Sequence, residues 1–161
     1  TSKIVIALLD GQVLAGGMGL AAASDIVLST SRTQFSLSET IWGLLPACVM
    51  PFLIRRVGFQ KAYYMTLTTQ TISAEQAHTI GLVDELTQDL SESLRNLLFR
   101  IQRISEETVD DLKIYFKKMW IVTDGMETAA VNELKRLIAK PRVQSNIKNF
   151  IHHQKFPWEN V

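Results

Sequence analysis

The sequence contains one cysteine, Cys48, in 161 residues. A single thiol cannot form an internal disulfide or a multi-cysteine metal site, and this scarcity favours a reducing compartment. The 17 lysines and arginines nearly balance the 16 aspartates and glutamates, so the formal net charge is only +1. This balance argues against a nucleic-acid-binding surface spread over the whole molecule. No apolar run approaches the length of a membrane span, and we expect a cytoplasmic protein with no signal peptide and no membrane contact.

The chain is rich in apolar residues but poor in predicted strands. Apolar residues make up 47% of the sequence and charged residues 20%, which is typical of a folded protein of single-domain size. Residues 4–9 form an apolar run of the kind that lies buried in a parallel sheet. Only three further strands are predicted, over residues 26–28, 34–36 and 83–86. Because a buried strand needs neighbours on both sides, we expect part of the fold to be missing from this chain.

Helical patterns fill most of the remaining sequence. Helices are predicted after Gly16, over residues 51–57 and 60–68, after a capping box at Ser73, from Ser91 onward, over residues 126–139 and after Pro141. One apolar stripe of the later helices contains Leu112, Phe116 and Trp120, and Asp124-Gly125 is expected to break the run. The sequence therefore predicts an α/β front over residues 1–90 and a helical back over residues 91–161.

Glycines open the helix that follows the first strand. Gly16, Gly17 and Gly19 leave backbone N–H groups bare at a helix start, where they can face one negatively charged atom. Glu39 closes the same stretch, in a region with few charges. This combination predicts a site for chemistry at a carbonyl group.

Two nucleotide-binding motifs fit these glycines poorly. The spacing is that of a P-loop, but Gly17 stands where the phosphate-binding lysine belongs, and Met18 replaces the serine or threonine. A dinucleotide-binding fingerprint would need a glycine at Ala22, and the next acid, Asp25, comes too early to bind a ribose. A structural interpretation stays open, in which the small residues only allow the helix to pack closely on the sheet.

A series of short motifs runs in order through residues 4–84. They are Asp10-Gly11, Gly16-Gly17, ASDI at 23–26, FSLSE at 35–39, GLLP at 43–46, RVG at 56–58, ISAEQA at 72–77 and GLVD at 81–84. With these motifs, the stretch resembles the crotonase (enoyl-CoA hydratase/isomerase) superfamily. The resemblance implies an α/β fold with a crotonase-like ββα spiral core, incomplete at its N-terminus and carrying the active site within residues 1–90. It also implies that residues 91–161 form a helical region that assembles the protein into a homotrimer or a dimer of trimers.

A narrower resemblance covers nearly the whole chain. FSLSE, the stretch PACVMPFLIRR at 46–56, YMTL at 64–67 and FPWE at 156–159 are similar to the dehydratases of polyketide β-branching cassettes. This resemblance implies the dehydration of 3-hydroxy-3-methylglutaryl, carried on an acyl carrier protein, to 3-methylglutaconyl. The implied partner is that carrier protein, whose phosphopantetheine holds the substrate. No other cofactor and no metal is expected.

The resemblance also implies roles for individual residues. The Gly16 N–H would donate to the thioester oxygen, and Glu39 would be the catalytic acid/base. The first of the two glutamates of the hydratases falls at Gly19, where there is no carboxylate. A second N–H donor to the thioester oxygen has no counterpart in this chain. The residues expected to bind substrate are Ala15, Gly17, Trp42, Leu45 and Cys48.

The neighbours of Glu39 in sequence bear on its protonation. Phe35, Leu37, Ile41 and Trp42 surround it, so the carboxyl is expected to lie in apolar company. Burial disfavours the charged form of a carboxyl, and we therefore expect a raised pKa for Glu39, which suits proton exchange. The alternative is an acid that only stabilises the start of a helix.

Several alternatives remain open at this level. The chain could be a decarboxylase acting on the dehydrated product, which the acid at Glu39 disfavours, or a non-catalytic subunit that binds the carrier protein. Cys48 is expected to be a buried thiol, and Arg55, Arg56 and Lys61 to form a basic cluster that meets the carrier or is ordinary surface charge. The histidines His78, His152 and His153 are expected on solvated helix faces.

Overall fold

A computed structural model describes residues 2–119 and 124–160. The strands in this part are β1 (Ile6–Leu9), β2 (Gln12–Leu14), β3 (Ile26–Thr30), β4 (Gln34–Ser36), β5 (Ile72–Ser73) and β6 (Glu85–Thr87). The helices are α1 (Gly16–Ala23), α2 (Met50–Val57), α3 (Phe59–Thr68), α4 (Ala74–Thr79), α5 (Leu90–Ile101), α6 (Glu106–Met119), α7 (Asp124–Ile138) and α8 (Pro141–His153). Two 3-10 helices cover Glu39–Trp42, called the Glu39 helix below, and Pro157–Asn160.

The strands form two small sheets. The first has the order β1-β3-β6 and is parallel throughout, with Ile6 opposite Ile26 and Leu28 opposite Glu85. The second has the order β2-β4-β5, in which β2 and β4 are parallel and β4 and β5 antiparallel. Each of the two early strands, β1 and β2, therefore lies at a sheet edge and pairs on one side only within the described residues. The sequence predicts few strands, and the structure accordingly has two small sheets in which β1 and β2 each lack a second neighbour among the described residues.

One apolar core holds α1, α2, α3 and α4 against the strands. Its largest fully buried side chains are those of Phe35, Met18, Leu37, Leu53, Leu82, Val27 and Val83. Ala21 and Ala22 of α1 are also fully buried, and their small side chains let α2 pack close to α1. The front of the molecule thus fixes the position of α1, the helix that the glycines open.

The predicted strands and capping box agree with the structure, with shifts at the ends. The Ser73 hydroxyl accepts from the Gln76 N–H at 3.3 Å, and the Gln76 side chain accepts from the Ser73 N–H at 2.9 Å. The last strand begins at Glu85 rather than at Val83, because the backbone there still closes α4: the Val83 N–H donates to the Ala77 carbonyl at 3.2 Å. Two short strands, β2 and β5, were not predicted.

The helical back differs from the prediction in where its helices end. The run from Ser91 stops at Ile101, and Ser105 starts α6 by accepting from the Thr108 N–H at 3.2 Å. Asp124 and Gly125 form the first turn of α7, so this helix begins two residues before the predicted start at residue 126. Trp120 lies outside the described residues, and the stripe that includes it stays a prediction there. The division at residue 90 also stays a prediction.

Candidate active site

Two parallel strands bring the glycines and the glutamate to the same edge of the second sheet. Leu14, the last residue of β2, lies opposite Ser36, the last residue of β4. The Ala15 N–H continues this pairing by donating to the Ser36 carbonyl at 3.1 Å. Gly16 follows directly in the chain, and Glu39 comes three residues after Ser36. Neighbouring strands lie about 5 Å apart, so the start of α1 and the Glu39 helix leave the sheet side by side.

Gly16 begins α1 with an unused backbone donor. No side chain caps this helix, and the Ala15 carbonyl accepts from the Met18 N–H at 3.0 Å. The Gly16 N–H has no acceptor among the described residues, as expected for the first turn of a helix. The position that a Cβ of Gly16 would occupy opens onto free space. No protein atom therefore crowds the start of α1 on the Cβ side of Gly16.

Ala15, which precedes this donor, has an unusual backbone conformation. Its φ is 46° and its ψ is −115°, a combination that only glycine adopts readily. The strained residue turns the chain from β2 into α1 and so sets the direction in which the Gly16 N–H points. Strain of this kind is common at functional sites, where the surrounding structure holds it in place.

Glu39 is a half-buried carboxyl with one unpaired oxygen. Its Oε2 is fully enclosed and has no hydrogen-bond partner among the described residues. Burial raises the pKa of this carboxyl above its usual value, against the smaller opposing effect of a hydrogen bond from its own backbone N–H. In the part of the chain that the structure describes, no charged side chain contributes to this shift. The expectation of a raised pKa is confirmed, and an unpaired oxygen of this kind is free to take up a proton.

The Glu39 helix is held from two sides. On one side, the Thr40 hydroxyl donates to the Thr66 carbonyl of α3 at 2.9 Å. On the other side, the indole of Trp42 packs against Phe150 of α8 at 4.8 Å between ring centroids. Gly43 ends the helix with a φ of 82°, a left-handed conformation that suits glycine. The position of Glu39 therefore depends on residues far away in the sequence.

Gly19, where the hydratases carry a glutamate, faces a tightly packed residue. A Cβ at Gly19 would lie 3.1 Å from Cγ2 of Val49, which is itself 5% exposed. Real side chains seldom approach so closely, so Val49 fills the space that a larger residue at this position would need. The packing of α1 against the start of α2 thus leaves no room for a carboxylate side chain at position 19.

The residues expected to bind substrate do not all share one environment. Ala15 and Gly17 flank Gly16, and Trp42 lies at the end of the Glu39 helix. Leu45 and Cys48 lie between Gly43 and α2, and both are exposed. The expectation of a buried thiol at Cys48 is wrong, because the loop carries this side chain on its outer surface. Binding of substrate by these five residues stays a prediction.

A cavity of about 510 Å³ lies elsewhere on the same helix. It is lined by residues of β1, β2 and α1, and includes Gly17 but neither Gly16 nor Glu39. Leu20, which also lines it, is 76% exposed. This cavity is therefore a groove beside the two sheet edges.

Two of the three basic residues have structural partners. Arg56 donates to the Ser24 and Asp25 carbonyls at 2.7 and 3.2 Å and pairs with Asp84 at 3.0 Å, with its side chain 8% exposed. Arg55 donates to the Ala22 carbonyl at 2.9 Å. Both arginines thus hold the C-terminal end of α1. Arg56 is thus taken up by structural contacts, while Arg55 and Lys61 of the expected basic cluster are exposed residues.

The histidines and acids give no sign of a metal centre. His78, His152 and His153 are exposed, as expected, and the Nδ1 of His78 lies 3.0 Å from the Val83 carbonyl oxygen. Within the described ranges, no three His, Cys, Asp or Glu side chains meet in a way that could hold a metal ion. A search of the same residues for a helix long and apolar enough to cross a membrane also finds none.

Sequence reasoning missed three contributors to this site. β2 was overlooked because it is only three residues long, although its exposed–buried–exposed pattern is the alternation of a half-buried strand. The packing of Val49 against Gly19 left no local signal. Phe150 and Phe156 pack against Trp42 from more than a hundred residues away, and no periodicity predicts such a contact.

Comparison with known proteins places this architecture in a family. The sequence model of the family described as "Enoyl-CoA hydratase/isomerase" matches residues 1–161. The chain belongs to this family, which is part of the crotonase superfamily, and the fold expected from the sequence is confirmed.

Three relatives show how similar the chain is to individual members of this family. The chain is 36% identical over 157 residues to the bacillaene synthase dehydratase PksH of Bacillus subtilis, covering 98% of this chain and 61% of the relative. A crystal structure of a putative polyketide biosynthesis enoyl-CoA hydratase (pksH) from the same species is 34% identical. It has a TM-score of 0.88 and covers 97% of this chain and 62% of that one. The mevalonyl-coenzyme A hydratase SIDH of Beauveria bassiana is 26% identical, covering 98% of this chain and 59% of the relative. The chain thus spans about three fifths of these relatives.

Proposed function

We propose that the protein containing this chain is a dehydratase of polyketide biosynthesis that acts on 3-hydroxy-3-methylglutaryl bound to an acyl carrier protein. The observation that carries the proposal is the buried oxygen of Glu39, which has no partner among the described residues and lies on the segment that follows β4, the strand paired with the one that leads to Gly16. The likeness to the bacillaene synthase dehydratase over 98% of the chain supports the pathway. The likeness to a mevalonyl-coenzyme A hydratase supports the substrate class, because a mevalonyl thioester also carries a methyl group on its third carbon.

Proton removal is the first step of the proposed reaction. The ionised Glu39 takes a proton from the carbon next to the thioester carbonyl, and the electron pair of the broken C–H bond forms an enolate. The Gly16 N–H donates to the enolate oxygen. One donor of this type contributes about a hundredfold to a thousandfold to the rate. A second donor, expected from the resemblance, would come from outside this chain.

Loss of water completes the reaction. The enolate reforms the carbonyl, a double bond forms between the second and third carbons, and the bond to the 3-hydroxyl group breaks. Glu39 returns its proton to the departing hydroxide, so one water leaves and the carboxylate is regenerated. Gly19 offers no second carboxylate, and Glu39 is therefore assigned both proton transfers. The raised pKa of Glu39 supports this double role, because an acid with a pKa nearer neutrality both accepts and returns protons effectively.

The remaining roles belong to the same proposal. Ala15, Gly17, Trp42, Leu45 and Cys48 contact the acyl group or its phosphopantetheine arm. The enzyme needs no cofactor of its own, binds neither nucleic acid nor membrane, and acts in the cytoplasm as a homotrimer or a dimer of trimers. The exposed apolar residues of α6, among them Leu112, Phe116 and Met119, support assembly through the helical back.

The test is the conversion of a synthetic 3-hydroxy-3-methylglutaryl carrier protein, followed by intact mass spectrometry. The expected product has lost one water. Glu39→Gln keeps the shape of the side chain and is expected to lower the rate by about a hundredfold or more. Glu107→Gln, an exposed glutamate of α6, is the matched control. Loss of carbon dioxide would instead identify a decarboxylase, and an unchanged mass with retained carrier binding would identify a non-catalytic subunit.

A further inference from the structure

Four aromatic residues connect the Glu39 helix to the C-terminal segment. Trp42 contacts Phe150 edge-on at 4.8 Å and stacks on Phe156 at 5.8 Å between ring centroids. Phe150 and Phe156 also touch each other at 5.1 Å, and Trp158 stacks on Phe156 at 4.8 Å. We call Trp42, Phe150, Phe156 and Trp158 the C-terminal cluster. The two contacts of Trp42 join residues that are more than a hundred positions apart in the chain.

The Glu39 helix depends on such contacts because it is short. It has four residues, with Glu39 at its start and Trp42 at its end. A single 3-10 turn has few hydrogen bonds of its own, and their geometry is poorer than in an α-helix. Its position is therefore set by what packs against it. Any movement of Trp42 moves Glu39 with it, because the two residues are one turn apart.

The C-terminal segment is itself firmly attached. The Phe156 N–H donates to the Glu159 carboxylate at 2.6 Å, and this bond fixes the orientation of the backbone at Phe156. Val143 of α8 is 3% exposed and lies 3.1 Å from the position a Cβ of Gly43 would take. A glycine at this position thus lets α8 approach the end of the Glu39 helix closely. Helix α8 and the segment after it form one wall against that helix.

We propose that Phe150 and Phe156 are positioning residues for the dehydration, which hold Trp42 and thereby fix the Glu39 carboxyl relative to the Gly16 N–H. This inference rests on the proposed function and deepens it. It assigns to the end of the helical back, otherwise expected to serve in assembly, a direct part in forming the active site of its own chain. The enclosed Oε2 of Glu39 supports it, because an atom without a hydrogen bond stays buried only while its surroundings are held closed.

Kinetics of two variants test the proposal. Phe150→Leu and Phe156→Leu remove ring contacts with Trp42 but keep an apolar side chain. Small misplacements of a catalytic group can cost up to about a hundredfold in rate, and we expect kcat to fall by about tenfold or more while KM changes by less than about twofold. Ile151→Ala, at a 63% exposed residue of the same helix, is the matched control and is expected to keep wild-type kinetics. Equal kinetics for the phenylalanine variants and the control would overturn the proposal, as would a change in KM alone.

A second measurement separates this inference from the proposed reaction. The titration of the Glu39 carboxyl can be followed by carbon NMR in the free protein, without any substrate. If the cluster keeps water away from Glu39, its pKa falls toward the ordinary glutamate value in Phe156→Leu and stays raised in Ile151→Ala. An unchanged titration in a folded Phe156→Leu protein would overturn the positioning role, whatever reaction the enzyme catalyses. Phe150→Tyr keeps the ring and is expected to keep the wild-type titration.

Discussion

The backbone N–H of Ala15 donates to the carbonyl oxygen of Ser36 at 3.1 Å. This bond extends the pairing of β2 and β4 by one residue beyond the sheet and joins the start of α1 to the segment that leads to Glu39. Ala15 makes it in a backbone conformation with a φ of 46°. The turn that leads from β2 to the Gly16 donor therefore has a conformational cost.

Substitution of Ala15 by glycine is expected to stabilise the protein. A non-glycine residue in such a conformation costs on the order of 1–3 kcal/mol, which glycine avoids. Against this gain, a glycine lowers the free energy of unfolding by about 0.4–1 kcal/mol, because it gives the unfolded chain more conformational freedom. We expect Ala15→Gly to raise the free energy of unfolding, measured in urea, by about 1 kcal/mol. The control, Ala129→Gly in the interior of α7, is expected to lower it by about 1 kcal/mol. A loss of stability at both positions would contradict the strain at Ala15.

Glu39 is expected to make the protein less stable as the pH rises. Below its ordinary pKa of 4.5 the carboxyl is neutral in both folded and unfolded chains, and its burial carries no penalty. Above that value the unfolded chain releases the proton while the folded protein retains it, because the folded pKa is raised. Stability is therefore lost as the pH rises from 4.5 through the folded pKa and changes no further beyond it.

This dependence can be measured by comparing the wild type with Glu39→Gln. The difference in unfolding free energy, wild type minus variant, is expected to fall with rising pH and then level off. Urea unfolding at several pH values, starting at about 4 and rising until the difference levels off, follows the carboxyl through its shifted pKa. Glu107→Gln controls for the loss of one negative charge. A difference that rose with pH would mean that the folded protein stabilises the ionised carboxylate.

The sequence predicted the parts of this site that depend on local pattern. Gly16 at a helix start and Glu39 among apolar neighbours follow from residue types close together in the chain, and both are found as expected. The capping box at Ser73 is equally local. What brings Gly16 and Glu39 together is the pairing of β2 with β4, and β2 was missed because three residues are too few to show a clear alternation.

Contacts between distant segments account for the other differences. Cys48 was expected to be buried because cysteine usually is, but the loop before α2 turns it outward. Arg56 was grouped with surface charge because its sequence neighbours are also basic. The carbonyls that it binds belong to Ser24 and Asp25, just after the C-terminal end of α1 and about thirty positions away, and only the folded chain reveals them.

Arg56 is expected to matter for stability. Its guanidinium serves two backbone carbonyls and the Asp84 carboxylate together, from a nearly buried position. A lysine keeps the charge but cannot span these acceptors, and each partly buried carbonyl left without its donor costs about 1–3 kcal/mol. We expect Arg56→Lys to lower the unfolding free energy by about 2–4 kcal/mol.

Lys61→Ala is the comparison for Arg56→Lys. Lys61 is exposed on α3, and its substitution is expected to change stability by less than about 0.5 kcal/mol. Binding of the carrier protein, measured by titration calorimetry, distinguishes the two roles further. If the Arg56→Lys protein kept wild-type stability but bound the carrier protein poorly, Arg56 would be a carrier-binding residue and not a structural one.

The close approach of α1 to Val49 predicts an interaction between two substitutions. Gly19→Ala improves helix propensity by about 1 kcal/mol, but its new methyl group would lie 3.1 Å from Cγ2 of Val49. In the wild-type background this crowding is expected to offset the gain, so that the variant is no more stable than the wild type. After Val49→Ala has removed the obstructing methyl groups, Gly19→Ala is expected to stabilise. A double-mutant cycle in urea should therefore give a coupling of at least about 0.5 kcal/mol. Additive effects would show that Val49 yields to a side chain at position 19, in which case packing would not explain why no carboxylate stands there.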